Sequence, residues 1–370
     1  MFHLKTSLAR RVALGALAAL ALATAVPSGA ASAASAADPV QWVALGDSYT
    51  AGVFVGDPRP ELGSSDRDGC DRTTGAYPNL VERGLASVPP AGRAVRLTDV
   101  SCGGATIGEI ASARQSPISP VRPPEGGWPS VDAQIERAQL SESTDVVTIG
   151  VGGNTLPFGK ILTNCLLLGT GQDDDATPCR DAYERGDFVL DPESIRDKFQ
   201  RVFREYVTLL EAVHDKAPNA KVITVGYPTI APADPTTCDR QDTRELAADV
   251  EGTRLSATHG DIAWLAEVNT ELNAIIEDTT ELVDYGYTYL DTATSSVGHD
   301  ACQPRARKWV EGVCGKAGPY WPTELAVGQP PAQFTLKCSD GNRATIVHPN
   351  AAGHANTATL VEAAVRKALT

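Results

Sequence analysis

The chain has 370 residues, with 46 acidic against 32 basic side chains and a formal net charge of −14. An acid surplus of this size repels phosphate backbones and anionic membrane surfaces, which argues against nucleic acid as a partner and leaves neutral substrates unhindered. The eight cysteines, Cys70, Cys102, Cys165, Cys179, Cys238, Cys302, Cys314 and Cys338, all lie beyond residue 36.

Residues 1–36 read as a secretory signal peptide: Lys5, Arg10 and Arg11, the apolar stretch Val12 to Val26, then the small residues Ala31-Ser32-Ala33-Ala34-Ser35-Ala36. The apolar part is shorter than the ~20 residues of a spanning helix, so a secreted protein without a stable membrane anchor is expected. Arg10-Arg11 hints at twin-arginine export, but Ala9 and Val12 are weak flanks for it. Loss of the leader would take the net charge to about −17. An even cysteine count in an exported chain points to disulfides; eight cysteines allow on the order of a hundred pairings, and the close pair Cys165 and Cys179 is the one expected here. Metal binding is the weaker reading, because neither a Cys-x-x-Cys pair nor a His-Glu-x-x-His helix occurs.

Strand and helix signals alternate from residue 37 to 370 without a linker, which predicts one domain of roughly 330 residues. Strands are expected at Gln41 to Leu45, Val95 to Val100, Asp145 to Val151, Lys221 to Tyr227 and Thr288 to Asp291, forming a parallel sheet with helices on both faces. Asp191-Pro192-Glu193-Ser194 is the expected start of a helix running to about Ala217, with Asp191 as N-cap, and a second long helix is expected over Arg244 to Glu277. Three segments rich in Gly and Pro fall outside this alternation: Val55 to Thr74, Ser116 to Pro129 and Gln303 to Lys337.

The apolar run Trp42-Val43-Ala44-Leu45 ends in Gly46-Asp47-Ser48-Tyr49. A buried parallel strand ends at the sheet's carboxyl edge, where open α/β folds bind ligands, so Ser48 is placed as a candidate nucleophile; as an isolated tripeptide, Gly46-Asp47-Ser48 could equally be a turn. Ser101-Cys102-Gly103-Gly104-Ala105-Thr106 follows the second strand, and its glycines would let a backbone N–H approach an oxyanion. Gly150-Val151-Gly152-Gly153-Asn154 follows the third and would present the Asn154 carboxamide, a donor that needs no protonation. Near the C-terminus, Val347-His348-Pro349-Asn350 precedes a helical pattern, with Pro349 expected at the first helical position and His348 beside the helix entrance as the best candidate base. His299 is its competitor. His214, His259 and His354 are expected to be solvated, in a polar stretch, and packed or capping, respectively.

Together these residues resemble the SGNH or GDSL hydrolases, whose four separated blocks appear here in order: Trp42 to Gly52, Ser101 to Thr106, Thr148 to Phe158 and His348 to His354. The cysteine-rich layout is similar to secreted actinobacterial lipases and esterases of that family. The resemblance implies a three-layer α/β/α sandwich of flavodoxin-like type and a secreted ester hydrolase acting through an acyl-enzyme, with no metal or organic cofactor required. It implies Ser48 as nucleophile, His348 as general base, and an oxyanion hole made by the Ser48 and Gly104 N–H groups and the Asn154 side chain. Thr155 stands where members commonly have aspartate, and so does Thr345, three residues before the histidine. The Thr345 carbonyl is therefore expected to orient His348, with Asp300 and Asp340 as alternatives. Trp309, Tyr320, Trp321 and the apolar members of Ile161 to Leu168 could line an acyl channel. The expected partner is a small-molecule or lipid ester; the rivals are a carbohydrate or acetyl-xylan esterase of the same fold and an inactive cell-surface binding module.

Overall fold

The computed structural model describes residues 38–327 and 333–370; the expected signal peptide, residues 1–36, lies outside the described residues. The apolar runs become five parallel strands: β1 (Val40–Gly46), β2 (Val95–Asp99), β3 (Val146–Gly150), β4 (Lys221–Val225) and β5 (Thr288–Leu290). They are ordered β2-β1-β3-β4-β5. The first strand is interior, paired on both sides. Trp42 faces Leu97 on one side and Val146 on the other, and Gly46 faces Gly150. Winding reverses between β1 and β3, and at such a switch point the loops leaving neighbouring strands part to open a crevice.

Alternation along the strands builds the three layers. Val40, Trp42, Val146, Ile223 and Val225 pack in a cluster with α2 (Tyr77–Ser87, after the short α1, Ser48–Ala51) and with the C-terminal helix Ala351–Ala368. Val43, Leu45, Val147, Ile149 and Val222 fill the opposite face. That face is covered by α3 (Phe158–Gly169), α4 (Ile195–Lys216) and α5 (His259–Leu282), while Ala351–Ala368 is α6.

Three local expectations are corrected. The N-cap of α4 is Ser194, whose hydroxyl accepts from the Asp197 N–H. Asp191 is instead buried, accepting from Lys198 Nζ at 2.9 Å and from the Tyr183 hydroxyl at 2.9 Å, because Lys198 points inward and needs a carboxylate there. The region 244–277 is not one helix: Ala247–Val250 pairs antiparallel with Thr253–Ser256 before α5 begins. Glu251 and Gly252, both at positive φ, turn that hairpin, and Thr258 caps α5. Finally, Pro349 precedes the N-cap of α6, which is Asn350, bonded to the Ala352 and Gly353 N–H groups.

All eight cysteines pair: Cys70–Cys102, Cys165–Cys179 as expected, Cys238–Cys302 and Cys314–Cys338. The first ties the Gly-rich and Pro-rich loop after α1 to the turn after β2, where the Gly103 N–H also donates to the Cys70 carbonyl at 2.9 Å. Its partners are 32 residues apart, and closing a loop of that length restricts the unfolded chain. A Cys70→Ser/Cys102→Ser variant is therefore expected to lose about 2–4 kcal/mol of stability, read as a lower denaturant midpoint. An unchanged midpoint would show that the loop gains nothing from the crosslink.

Candidate active site

The turn after β1 is shaped by close approach. A Cβ on Gly46 would lie 2.1 Å from Thr50 Oγ1 and 2.7 Å from the Gly150 carbonyl, so only glycine lets α1 fold back against the strand ends. The buried Gln134 side chain binds both backbone groups of Gly46, accepting from its N–H at 2.9 Å and donating to its carbonyl at 2.8 Å. Asp47 caps α1 by accepting from the Tyr49 N–H at 2.9 Å. Ser48 is thereby held, half-buried, at the start of α1.

The Ser48 hydroxyl lies 2.8 Å from His348 Nε2. On the other side of the ring, His348 Nδ1 is 2.9 Å from the carbonyls of both Thr345 and Ile346. Carbonyls only accept, so Nδ1 carries the proton and Nε2 presents its lone pair to the serine hydroxyl. Asp300 binds the Cys302 N–H and Gln303, and Asp340 binds Ser339; neither is a partner of His348. The Thr345 carbonyl is one of two that Nδ1 reaches, that of Ile346 being the other.

That second carbonyl belongs to a strained segment. Ile346 and Val347 sit at φ +43° and +57°, a region that β-branched residues rarely adopt. The strain is held by a ladder in which the Thr345 and Ile346 N–H groups donate to the Val313 carbonyl and the Val347 N–H donates to that of Gly312. The Tyr49 hydroxyl also donates to the Val347 carbonyl. Phe54 meets the imidazole edge-on at 5.1 Å and is itself met by Trp321 at 4.4 Å. The Trp321 indole N–H donates to the Ala344 carbonyl at 2.8 Å. Trp321 thus braces the histidine loop, Tyr320 donates to Gly56, and Trp309 stacks on His299, so the three aromatics line no channel beside Ser48.

His299 is occupied otherwise, its Nδ1 at the Arg307 carbonyl. His354 is buried and accepts from the Tyr77 N–H at 3.2 Å, a packing role as expected. His259 binds the Cys238 carbonyl, and His214 stacks on Tyr285 rather than lying free in solvent.

Gly104 sits at φ +78° in the turn after β2, and neither its N–H nor that of Ser48 has an acceptor among the described residues. The Asn154 amide donates one hydrogen to the Ala105 carbonyl at 3.0 Å, which fixes the amide's orientation and leaves its second hydrogen free. Thr155 provides support in place of aspartate, its hydroxyl accepting from the Ile107 N–H at 2.9 Å and locking the Asn154 turn to the Gly104 turn. The Gly153 N–H is taken by the Tyr227 hydroxyl at 2.8 Å. Sequence reasoning missed Tyr227, Tyr49 and Phe54; of these only Tyr227 carried a signal, as the residue just beyond a strand at the carboxyl edge.

A cleft of about 90 Å³ runs from Ser48 past Asn154, walled by Phe158, Leu162, Ile230, Leu272 and Ile346. Leu162 is the member of the 161–168 run that faces it. Among the described residues, Cys238, Glu245 and Cys302 cluster closely enough to suggest a metal, but both sulfurs are joined in a disulfide and offer no thiolate.

The match to the family described as GDSL-like Lipase/Acylhydrolase covers residues 44–355, which contain every residue of this cleft. Lipase 2 of Streptomyces coelicolor is 31% identical over 75% of this chain and 78% of its own, and an esterase of Streptomyces scabiei is 35% identical over 62% and 63%. The crystal structure of phospholipase A1 from Streptomyces albidoflavus NA297 shares the fold with a TM-score of 0.52, at 22% identity over 89% of this chain and 99% of that one. The protein is a carboxylic ester hydrolase. More narrowly, the chain belongs to the GDSL-like lipase/acylhydrolase family, the SGNH hydrolases.

Burial depresses the His348 pKa to about 4, and the hydrogen bonds to the Ile346 and Thr345 carbonyls, which favour the charged ring, only partly oppose it. Among the described residues no carboxylate bonds the ring to restore the usual value, so the imidazole stays neutral and able to accept a proton far into the acid range. The His348 ring nitrogens are expected to titrate well below 6.5 in a nitrogen NMR titration; a midpoint at or above 6.5 would require a carboxylate partner that this geometry lacks.

Proposed function

We propose that the protein is an exported lipase or carboxylesterase in which Ser48 is the nucleophile and His348 its general base, residues 37–370 forming one domain behind a removable signal peptide. The observation that carries this reading is the 2.8 Å contact between Ser48 Oγ and His348 Nε2, with Nδ1 fixed by two carbonyls. Ser48 attacks the ester carbonyl as His348 takes its proton. The oxyanion is received by the Ser48 and Gly104 N–H groups and the free Asn154 hydrogen, and the imidazolium returns the proton to the leaving alcohol before activating water. The acyl-enzyme needs no metal or organic cofactor. Four disulfides and the absence of a described helix long and apolar enough to cross a membrane fit an exported enzyme.

The apolar walls beside Ser48 favour an acyl chain longer than acetyl. Hydrolysis of p-nitrophenyl esters from acetate to palmitate is expected to peak above acetate and to vanish in Ser48→Ala. An acetate optimum would favour the carbohydrate or acetyl-xylan esterase reading. Failure of a fluorophosphonate to label the wild type would favour a binding module.

Roles separate further by substitution. Thr345→Ala keeps the carbonyl and loses a buried bond from the Thr345 hydroxyl to the Gly312 carbonyl, so about 1 kcal/mol of stability should go while most activity stays. His348→Ala should be inactive, and Asn154→Ala should lose on the order of 10²-fold in kcat. Equal inactivation by Thr345→Ala and His348→Ala would overturn the carbonyl's role.

A further inference from the structure

The Tyr227 hydroxyl stands between two of the turns that build the cleft. It accepts from the Gly153 N–H at 2.8 Å and donates to Asp47 Oδ2, whose other oxygen caps α1 one residue beyond Ser48. A phenol has one hydrogen, so the direction of each bond is fixed. Burial pushes the Asp47 carboxyl up to about 7; above that, as the carboxylate, Asp47 can only accept, and Gly153 N–H can only donate, which leaves Tyr227 as the group that satisfies both. Its position is fixed in turn by Asn273 of α5, which accepts from the Tyr227 N–H at 2.7 Å and donates to its carbonyl at 2.8 Å. The ring meets Tyr49 edge-on at 5.1 Å.

Asp47 and Tyr227 are both buried, where a polar group that loses its partner is costly. The consequence falls on Gly153. With its N–H held by Tyr227, the peptide leading into Asn154 is tied to the loop that carries Ser48, and the distance between nucleophile and amide donor is set by two short links rather than by the sheet alone.

We infer that Tyr227 is a positioning residue for the ester hydrolysis: through Gly153 and Asp47 it sets the Asn154 amide in register with the Ser48 oxygen. This rests on the Ser48, His348 and Asn154 assignment proposed above. It touches no reacting atom in this role. Misplacing one donor by a fraction of an ångström weakens the oxyanion bond where it matters, in the transition state, and leaves ground-state binding nearly untouched.

The test is a double-mutant cycle on the full-length mature enzyme, with kcat and KM measured on one p-nitrophenyl ester and melting temperatures taken beside them. Tyr227→Phe keeps the ring and removes both bonds. It is expected to lower kcat about 10-fold or more with KM within about twofold, and to add little to Asn154→Ala, because both changes damage the same donor. A Tyr227→Phe enzyme within twofold of wild type in kcat, or effects that multiply in the double variant, would overturn the inference. Should Tyr227→Phe fail to fold, Asp47→Asn replaces it. An amide there can still accept from the Tyr49 N–H but confronts the Tyr227 oxygen with a second donor, so the same kcat loss is expected, and an unchanged kcat overturns the inference equally. Fluorophosphonate labelling separates the two levels: wild type that is unlabelled, or Ser48→Ala that remains active, defeats the functional assignment, whereas normal labelling with an unaffected Tyr227→Phe defeats only the role of Tyr227.

Discussion

The pair of hydrogen bonds from His348 Nδ1 to the Thr345 and Ile346 carbonyls is the constraint around which the C-terminal third of the molecule is arranged. To bring two successive carbonyls to one ring nitrogen the chain must pass through the left-handed region at Ile346 and Val347, where β-branched side chains are strained. Such a segment persists only if its surroundings over-determine it. The ladder to Gly312 and Val313 does this, and it is itself anchored: a Cβ on Gly312 would overlap the Arg244 carbonyl, the Val313 N–H donates to Glu245, and Cys314 is bonded to Cys338. The segment 243–245 that leads into the hairpin 247–256 and the Gly-rich and Pro-rich stretch after β5, which look like ornaments on a simple sheet, together form the bed for one loop.

The sheet handles the remaining parts of the cleft more directly. Strands β1, β2 and β3 deliver Ser48, Gly104 and Asn154 from adjacent carboxyl ends, and short polar links then fix the turns to each other. Gln134 fastens Gly46, Thr155 fastens the helix start at Ile107, and Tyr49 fastens the histidine loop. Each link joins residues far apart in the chain, and each is buried or nearly so, where a lost hydrogen bond is expensive. Rigidity at the cleft is thus assembled from many individually modest bonds.

The strands were legible because a buried parallel sheet demands continuous apolar runs, and Trp42 to Leu45 or Val146 to Ile149 can hardly be anything else. The four candidate residues were legible for the same reason, since each follows a strand or precedes a terminal helix. The hairpin at 247–256 was hidden because Glu245, Leu246, Ala247 and Ala248 favour a helix locally and Glu251-Gly252 is a weaker turn signal than Asn-Gly. Asp191 resembled a cap because short acids usually are, and only the inward turn of Lys198, a tertiary fact, assigns it elsewhere. Phe54 and the left-handed Ile346 left no local trace at all, and Tyr227 only its place beyond a strand end, as their roles consist of contacts with distant segments.

A carbonyl offered to the imidazole where relatives commonly offer an aspartate is not encoded by any particular codon. Residue 345 can change its side chain and still offer the same oxygen, so the orienting element is shielded from most single-base changes, and only an alteration of the backbone path, such as proline at position 346 where φ is positive, would remove it. The reverse side of that shielding is invisibility. A search for the acid of a serine-histidine-aspartate set would pass over this chain and score it as an inactive relative, although the imidazole is held from two directions.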